Sequence, residues 1–221
     1  MPIHQHIAPY ARLSAEALEA WRGIPPAIAS DCMNRAQTMQ AAVKPLARGM
    51  TLCGQARTVQ CMVGDNGPIH AVMRLLEPGD VLVIDAGGYA DVAVFGGLLA
   101  RAAMARGAAG VVLDGAARDC AEIIGFKFPL YASAIVPRGP HKGFGGTIDG
   151  VISCGGCPVS PGDIVLGDDD GIAVVPLARA DMVLRASLEK ISQEEAQIER
   201  LNAGESLADQ LGVPEPTIVP G

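Results

Sequence analysis

Apolar and polar positions along the chain predict a succession of short, alternating elements. Residues 14–22 (SAEALEAWR) read as an amphipathic helix with Ser14 as its N-cap, stopped by Ile24-Pro25-Pro26. A second helix is predicted over 27–35, after which Lys44-Pro45-Leu46 leads into the strand-like TLCGQARTVQCMV. Asp65-Asn66 can cap a helix over roughly 67–76, ending before Pro78-Gly79. VLVID (81–85) is then a continuous apolar run, as expected of a strand buried on both faces. A glycine-containing loop, AGGYADVAVFGG, precedes a helix over LLARAAMAR. That helix is expected to bury Leu98, Leu99, Ala102 and Ala103, to project Arg101 and Arg106 away, and to end at Gly107. AAGVVLD (108–114) is a second buried strand, so 81–114 has the order of one right-handed β-α-β crossover.

The later pattern is β-rich, through PLYASAIV, TIDGVISC, DIVLG and GIAVV, and closes with a polar helix from 181 to about 203. PGDVLVIDAGG at 78–88 and PGDIVLGDDDG at 161–171 each read as a Pro-Gly turn feeding a strand. No linker divides the chain, so residues 1–221 are predicted to form one α/β domain. Residues 1–23 would be an N-terminal arm and helix, and 181–221 a C-terminal helix and tail that is extended or lies on a neighbour.

Composition narrows the classes of function. Half the 221 residues are hydrophobic but only 4% are aromatic, and 27 are glycine, which describes a core of small aliphatic side chains with tight turns. A net charge of −7 argues against nucleic acid as a partner, since phosphate binding needs a basic footprint. The N-terminus lacks a secretory pattern and no apolar stretch is long enough to span a membrane, so a cytoplasmic protein is expected. The six cysteines are scattered and read as reduced packing residues, the Cys154-Gly-Gly-Cys157 pair included. His4-Gln-His6 is expected to be mobile and His70 to be packed; Arg138, His141 and Lys142 lie in a glycine-rich loop within possible reach of a substrate. Asp168-Asp169-Asp170-Gly171 lacks the further ligands of a calcium loop and reads as a polar turn.

The chemistry concentrates after the two buried strands. In a parallel crossover their following loops open on one sheet edge, where α/β proteins gather ligands. One loop supplies a helix start at Gly96-Gly97-Leu98-Leu99, whose free N–H groups favour a small anion such as a carboxylate. The other supplies Arg118, Asp119 and Glu122, with the two acids at i, i+3 spacing if the chain turns helical after Ala117. Oxygen ligands so placed suit Mg²⁺ or Mn²⁺, and Arg118 can fork onto a carboxylate or an enolate oxygen. The same trio also fits a solvated helix cap with local ion pairs, and spacing alone leans to that reading.

The segment GGLLARAAMARGAAGVVLDGAARDCAE resembles the signature of the 4-hydroxy-4-methyl-2-oxoglutarate aldolase family, which also contains the regulator of ribonuclease activity A. Ser30-Asp31, Lys44-Pro45-Leu46, GDNGPIH and both Pro-Gly-Asp segments resemble family segments in the same order, over roughly residues 24–200. The resemblance implies a swivelling β/β/α-type domain assembled as a homotrimer or hexamer. It also implies a divalent metal and cleavage of a hydroxy keto acid to pyruvate, with oxaloacetate decarboxylation by the same enolate chemistry. By that resemblance Asp119 falls on the metal ligand, Arg118 on the keto-acid-binding residue, and Gly96, Gly97, Leu98 and Leu99 on the carboxylate-binding backbone. Many aldolases of the family carry an acidic residue where this chain has Gly97; Glu122 is expected to take over that role, beside the metal and in proton transfer. A second acid is expected from a neighbouring subunit's C-terminal helix, with Glu194, Glu195 and Glu199 as candidates. The alternative is a non-catalytic regulator that docks on an RNA-degrading enzyme, whose basic segments would suit an acidic protein.

Overall fold

The apolar run at 81–85 lies in the middle of a ten-stranded mixed sheet in a computed structural model that describes residues 1–219. In chain order the elements begin β1 (Ile3–Gln5), α1 (Ala15–Arg22), α2 (Pro26–Cys32), β2 (Lys44–Pro45), β3 (Leu52–Cys61) and α3 (Gly67–Val72). The ligand-edge elements follow as β4 (Asp80–Asp85), β5 (Ala93–Phe95), α4 (Gly97–Ala105), β6 (Gly110–Ala117) and α5 (Cys120–Gly125). Then come β7 (Leu130–Ile135), β8 (Gly146–Ile148), β9 (Ile152–Cys154), β10 (Cys157–Val159), β11 (Ile164–Asp168) and β12 (Gly171–Val175). The chain continues into α6 (Ala180–Asn202) and α7 (Leu207–Gln210).

Strands β3, β4, β6 and β7 run parallel in that order, so the crossover from β4 through α4 to β6 is present as the hydrophobic pattern predicts. Every residue of β4 is buried, because both faces of the sheet are covered. Leu82 and Ile84 pack with Ile69, Leu99 and Ile123 under the helices, whereas Val81 and Val83 pack with Cys154, Val159 and Val174 under the β-hairpins. This period-two division makes a β/β/α layering, with α1, α2 and α6 closing a third cluster around Trp21, Leu166 and Val183.

The two Pro-Gly-Asp segments fold into the same turn. Gly79 and Gly162 have φ of 86° and 88°, as required after proline in a type II turn. Each aspartate then bonds back: Asp80 Oδ2 accepts from Glu77 N at 2.9 Å, and Asp163 Oδ2 from Ser160 N at 2.8 Å. Burial raises the Asp163 carboxyl pKa against those N–H bonds, while Asp80 is paired with Arg12 and Arg57.

Several local expectations are corrected. Helix α2 stops at Cys32, not residue 35, because Asn34 and Arg35 take positive φ. Helix α3 ends at Val72, and the expected loop after β4 contains the short strand β5. His4 and His6 are not a free end: His4 lies in β1 beside Thr147, and His6 N donates to Ile148 O at 2.9 Å. The cysteine pair flanks the hairpin turn between β9 and β10, and burial pushes both thiols up, Cys157 to about 11. No helix among the described residues is long and apolar enough to cross a membrane.

Candidate active site

Strand β6 runs three residues past Asp114, and its pairing slips register with both neighbours, between Ala93 and Phe95 on one side and Leu113 and Ala116 on the other. Such irregularities re-aim the side chains that follow. Arg118 N donates to Phe95 O at 2.9 Å, and the chain then turns at Asp119, whose φ of 59° lies in the left-handed region. Asp119 is therefore the residue ahead of α5 and not part of it, contrary to a helical i, i+3 pair. A non-glycine residue in that conformation costs conformational energy and persists where neighbours fix it.

What fixes it is the start of α4. Gly97 N donates to Asp119 Oδ2 at 3.0 Å, and Arg118 Nε lies 3.6 Å from the same oxygen. A Cβ on Gly96 would stand 2.7 Å from Asp119 Oδ2 and 3.0 Å from Arg118 Cγ. A Cβ on Gly97 would meet the Glu122 carboxylate, with Cδ at 2.9 Å. The paired glycines thus admit two carboxylates to one helix start, and Glu122 occupies the space a side chain at 97 would take. Its Oε1 accepts from Arg101 Nη2 at 2.8 Å; Arg101, expected to project away, crosses back and stacks on Phe126 at 4.2 Å.

The Leu98 and Leu99 N–H groups precede the first intrahelical bond of α4, Ala100 N to Gly96 O, and have no acceptor in the helix. Leu98 is 84% exposed, against its expected burial, while Leu99, Ala100 and Ala103 form the packed stripe. These groups border a cleft of about 200 Å³ whose lining includes Leu98, Arg118, Asp119 and Glu122. Arg118 and Asp119 are each 42% exposed at the side chain, so ligand and solvent reach them.

The opposite wall holds Lys142, which the loop composition placed within reach of a substrate, together with Asn66 and His70, which the sequence did not mark as site residues. His70 is exposed to the cleft, not packed, and burial, then the nearby Lys142, holds its pKa below the usual histidine range. The available signal was spacing, because Asn66 and His70 stand one helical turn apart. Of Arg138, His141 and Lys142, the residues proposed in the glycine-rich loop, Lys142 alone lines the cleft; His141 pairs by its backbone with Asp65. Cavities of about 490 and 500 Å³ elsewhere are larger. Neither brings an arginine together with two carboxylates at a helix start, so chemistry and not volume selects the smaller cleft.

Glu194, Glu195 and Glu199 do not line this cleft within the same chain. Glu194 stands half-buried on α6, where Lys190 Nζ bridges its Oε1 at 3.3 Å and Asp31 Oδ2 at 3.2 Å, whereas Glu195 and Glu199 are exposed. Asp168 and Asp169, by contrast, accept backbone N–H groups of Asp170 and Gly49, which makes their segment the polar turn its sequence suggests.

The sequence model described as "RraA-like: Aldolase/RraA" matches residues 26–174. The chain belongs to the RraA-like family. A Halalkalibacterium halodurans protein named "Putative 4-hydroxy-4-methyl-2-oxoglutarate aldolase" is 36% identical over 176 residues, 80% of this chain and 84% of that protein. A Thermus thermophilus 4-hydroxy-4-methyl-2-oxoglutarate aldolase is 33% identical over 147 residues, covering 66% of this RraA-like chain and 89% of that protein. The crystal structure of Streptomyces coelicolor RraAS2, described as an unusual member of the RNase ES inhibitor RraA protein family, superposes with a TM-score of 0.76 at 26% identity, over 86% of this chain and 98% of that one.

Proposed function

We propose that this RraA-like protein is a divalent-metal-dependent lyase that cleaves a 4-hydroxy-2-oxo acid to pyruvate and also decarboxylates oxaloacetate. The observation that carries this reading is the placement of the Glu122 carboxylate in the space left by Gly97, beside Asp119 and a helix start with free N–H groups. The fit to a metal is that of a hard ion: no group of three His, Cys, Asp or Glu side chains converges among the described residues, but Asp119 and Glu122 supply two carboxylates. Mg²⁺ and Mn²⁺ sites commonly use one or two carboxylates and complete the shell with water and substrate oxygens. Asp119 would be the ligand, with Glu122 holding the ion's water shell. When bound, the ion would act as a Lewis acid on the keto oxygen.

The chain's own groups do the remainder. The N–H groups of Leu98 and Leu99 would receive the keto acid's carboxylate, and the Arg118 fork would hold the C2 oxygen as negative charge develops there. Glu122, through water, would take the 4-hydroxyl proton as the C3–C4 bond breaks; its electron pair passes into the C2–C3 enolate, and a proton returned to C3 gives pyruvate. With oxaloacetate the same electron flow releases CO₂. The cationic Lys142 opposite Arg118 favours an acid carrying a second negative group. Assembly as a homotrimer or hexamer would let one of Glu194, Glu195 and Glu199 of a neighbouring copy approach the cleft.

The net charge of −7 and the likeness to RraAS2 favour a second reading, a regulator docking on the basic segments of an RNA-degrading enzyme. A coupled assay for pyruvate separates the two. Turnover of oxaloacetate or 4-hydroxy-4-methyl-2-oxoglutarate that chelation abolishes and Mg²⁺ or Mn²⁺ restores is expected. Absence of turnover across keto acids with metal present would favour the regulator.

A further inference from the structure

The second wall of the cleft is made by two loops joined through one buried carboxylate. Asp65 has no exposed surface, and its Oδ1 accepts from Gly67 N at 2.7 Å. Its Oδ2 accepts from Gly143 N at 2.7 Å and from Phe144 N at 3.1 Å, on a loop more than seventy residues later. Around this junction Asn66 N donates to His141 O at 3.1 Å and His141 N to Gly64 O at 2.9 Å. Burial raises the Asp65 carboxyl pKa, but the bonds from Gly67, Phe144 and Gly143, with His141 nearby, outweigh it and hold the group below the usual carboxylate range. The three bonds are therefore charge-assisted, and stronger than those of a neutral turn.

Local sequence is shaped to this contact. Gly64 has a φ of 75°, and a Cβ on Gly67 would stand 3.0 Å from Asp65 Oδ1 and 3.3 Å from Phe144 O. Turn formation alone needs the Gly67 bond; burying a charge between distant segments adds a desolvation cost that only the loop junction explains. Lys142 sits between the two tied positions, 141 and 143, and reaches the cleft, while Asn66 adjoins Asp65 directly. The same loop passes against Arg118, since a Cβ on Gly139 would lie 2.6 Å from Arg118 Nη1.

We propose that Asp65 is a positioning residue that locks the 141–144 loop to the 64–67 turn and so holds Lys142 at the cleft. Only the identity of the incoming anion rests on the keto-acid reading. Asp65→Asn tests it, because the amide keeps an acceptor for Gly67 N but can turn its NH₂ toward the Gly143 and Phe144 N–H groups. Amide hydrogen exchange without substrate should be about tenfold faster in peptides covering 141–145 and unchanged in β4 and β6. Gly67→Ala, a milder change, should move the same peptides in the same direction. Unchanged exchange at 141–145, or equal acceleration across β4 and β6, would overturn the assignment.

Kinetics on oxaloacetate supply the functional arm. Asp65→Asn and Lys142→Ala should each raise KM about tenfold with kcat within about twofold, and the double variant should be no worse than Lys142→Ala alone. Additive losses, or a fall confined to kcat, would show that Asp65 does not act through Lys142. A wild-type protein without turnover would sink the keto-acid reading, and the exchange measurement would then decide the clamp by itself.

Discussion

Two acidic segments follow buried strands in this chain, and they end differently. Asp168-Asp169-Asp170 is the richer in carboxylates, yet Asp168 and Asp169 are taken up by backbone N–H groups, and the Asp170 carbonyl accepts from Lys44. The segment from Arg118 to Glu122 has fewer acids, but its carboxylates meet at a bare helix start on an open cleft. Asp168 and Asp169 tie backbone segments together, whereas Asp119 and Glu122 stand with Arg118 on the cleft. The number of acids therefore says little about chemistry. Where the carboxylates converge, and which groups they meet there, says much more.

Substitutions can break that contrast. Arg118→Ala should lower pyruvate formation about 10³-fold, as loss of a charged donor at a developing oxyanion does. Glu122→Ala should cost about 10²-fold by removing the proton-transfer group. Combining it with Gly97→Asp should recover much of the loss, since the vacated space is where a side chain at 97 would extend; no recovery would mean the two positions are not interchangeable. Arg101→Ala frees one Glu122 oxygen from a solvent-exposed pair, and a two- to fivefold change in kcat/KM is about what such pairs are worth. Asp169→Ala should leave activity within about twofold while removing one hydrogen bond, a loss of about 1 kcal/mol in thermal unfolding.

Much of this architecture was legible in the residues. The continuous apolar runs at 81–85 and 110–113 required strands covered on both faces, and the repeated Pro-Gly-Asp pattern required the same turn twice. The Arg118, Asp119 and Glu122 group was also visible, and the structure brings it to the Gly96-Gly97 helix start. Asp119's left-handed backbone was not, because its cause is a bond from Gly97, twenty-two residues earlier in the chain. Leu98 looked apolar and therefore buried, but its place at the helix start turns it to the cleft. Lys142 was singled out only as one of three loop residues near a substrate, and His70 was expected to be packed, because their wall is assembled by Asp65 from loops distant in sequence. Periodicity reports contacts within an element; junctions between loops leave only faint marks, such as the glycines at 64 and 67.

Asp119→Ala provides the most direct test of the central claim, with pyruvate release measured at saturating Mg²⁺ and corrected for spontaneous oxaloacetate decay. The account predicts that metal-dependent turnover disappears while the circular dichroism spectrum and melting cooperativity of the folded protein are kept. A variant that releases pyruvate at the wild-type rate would contradict it.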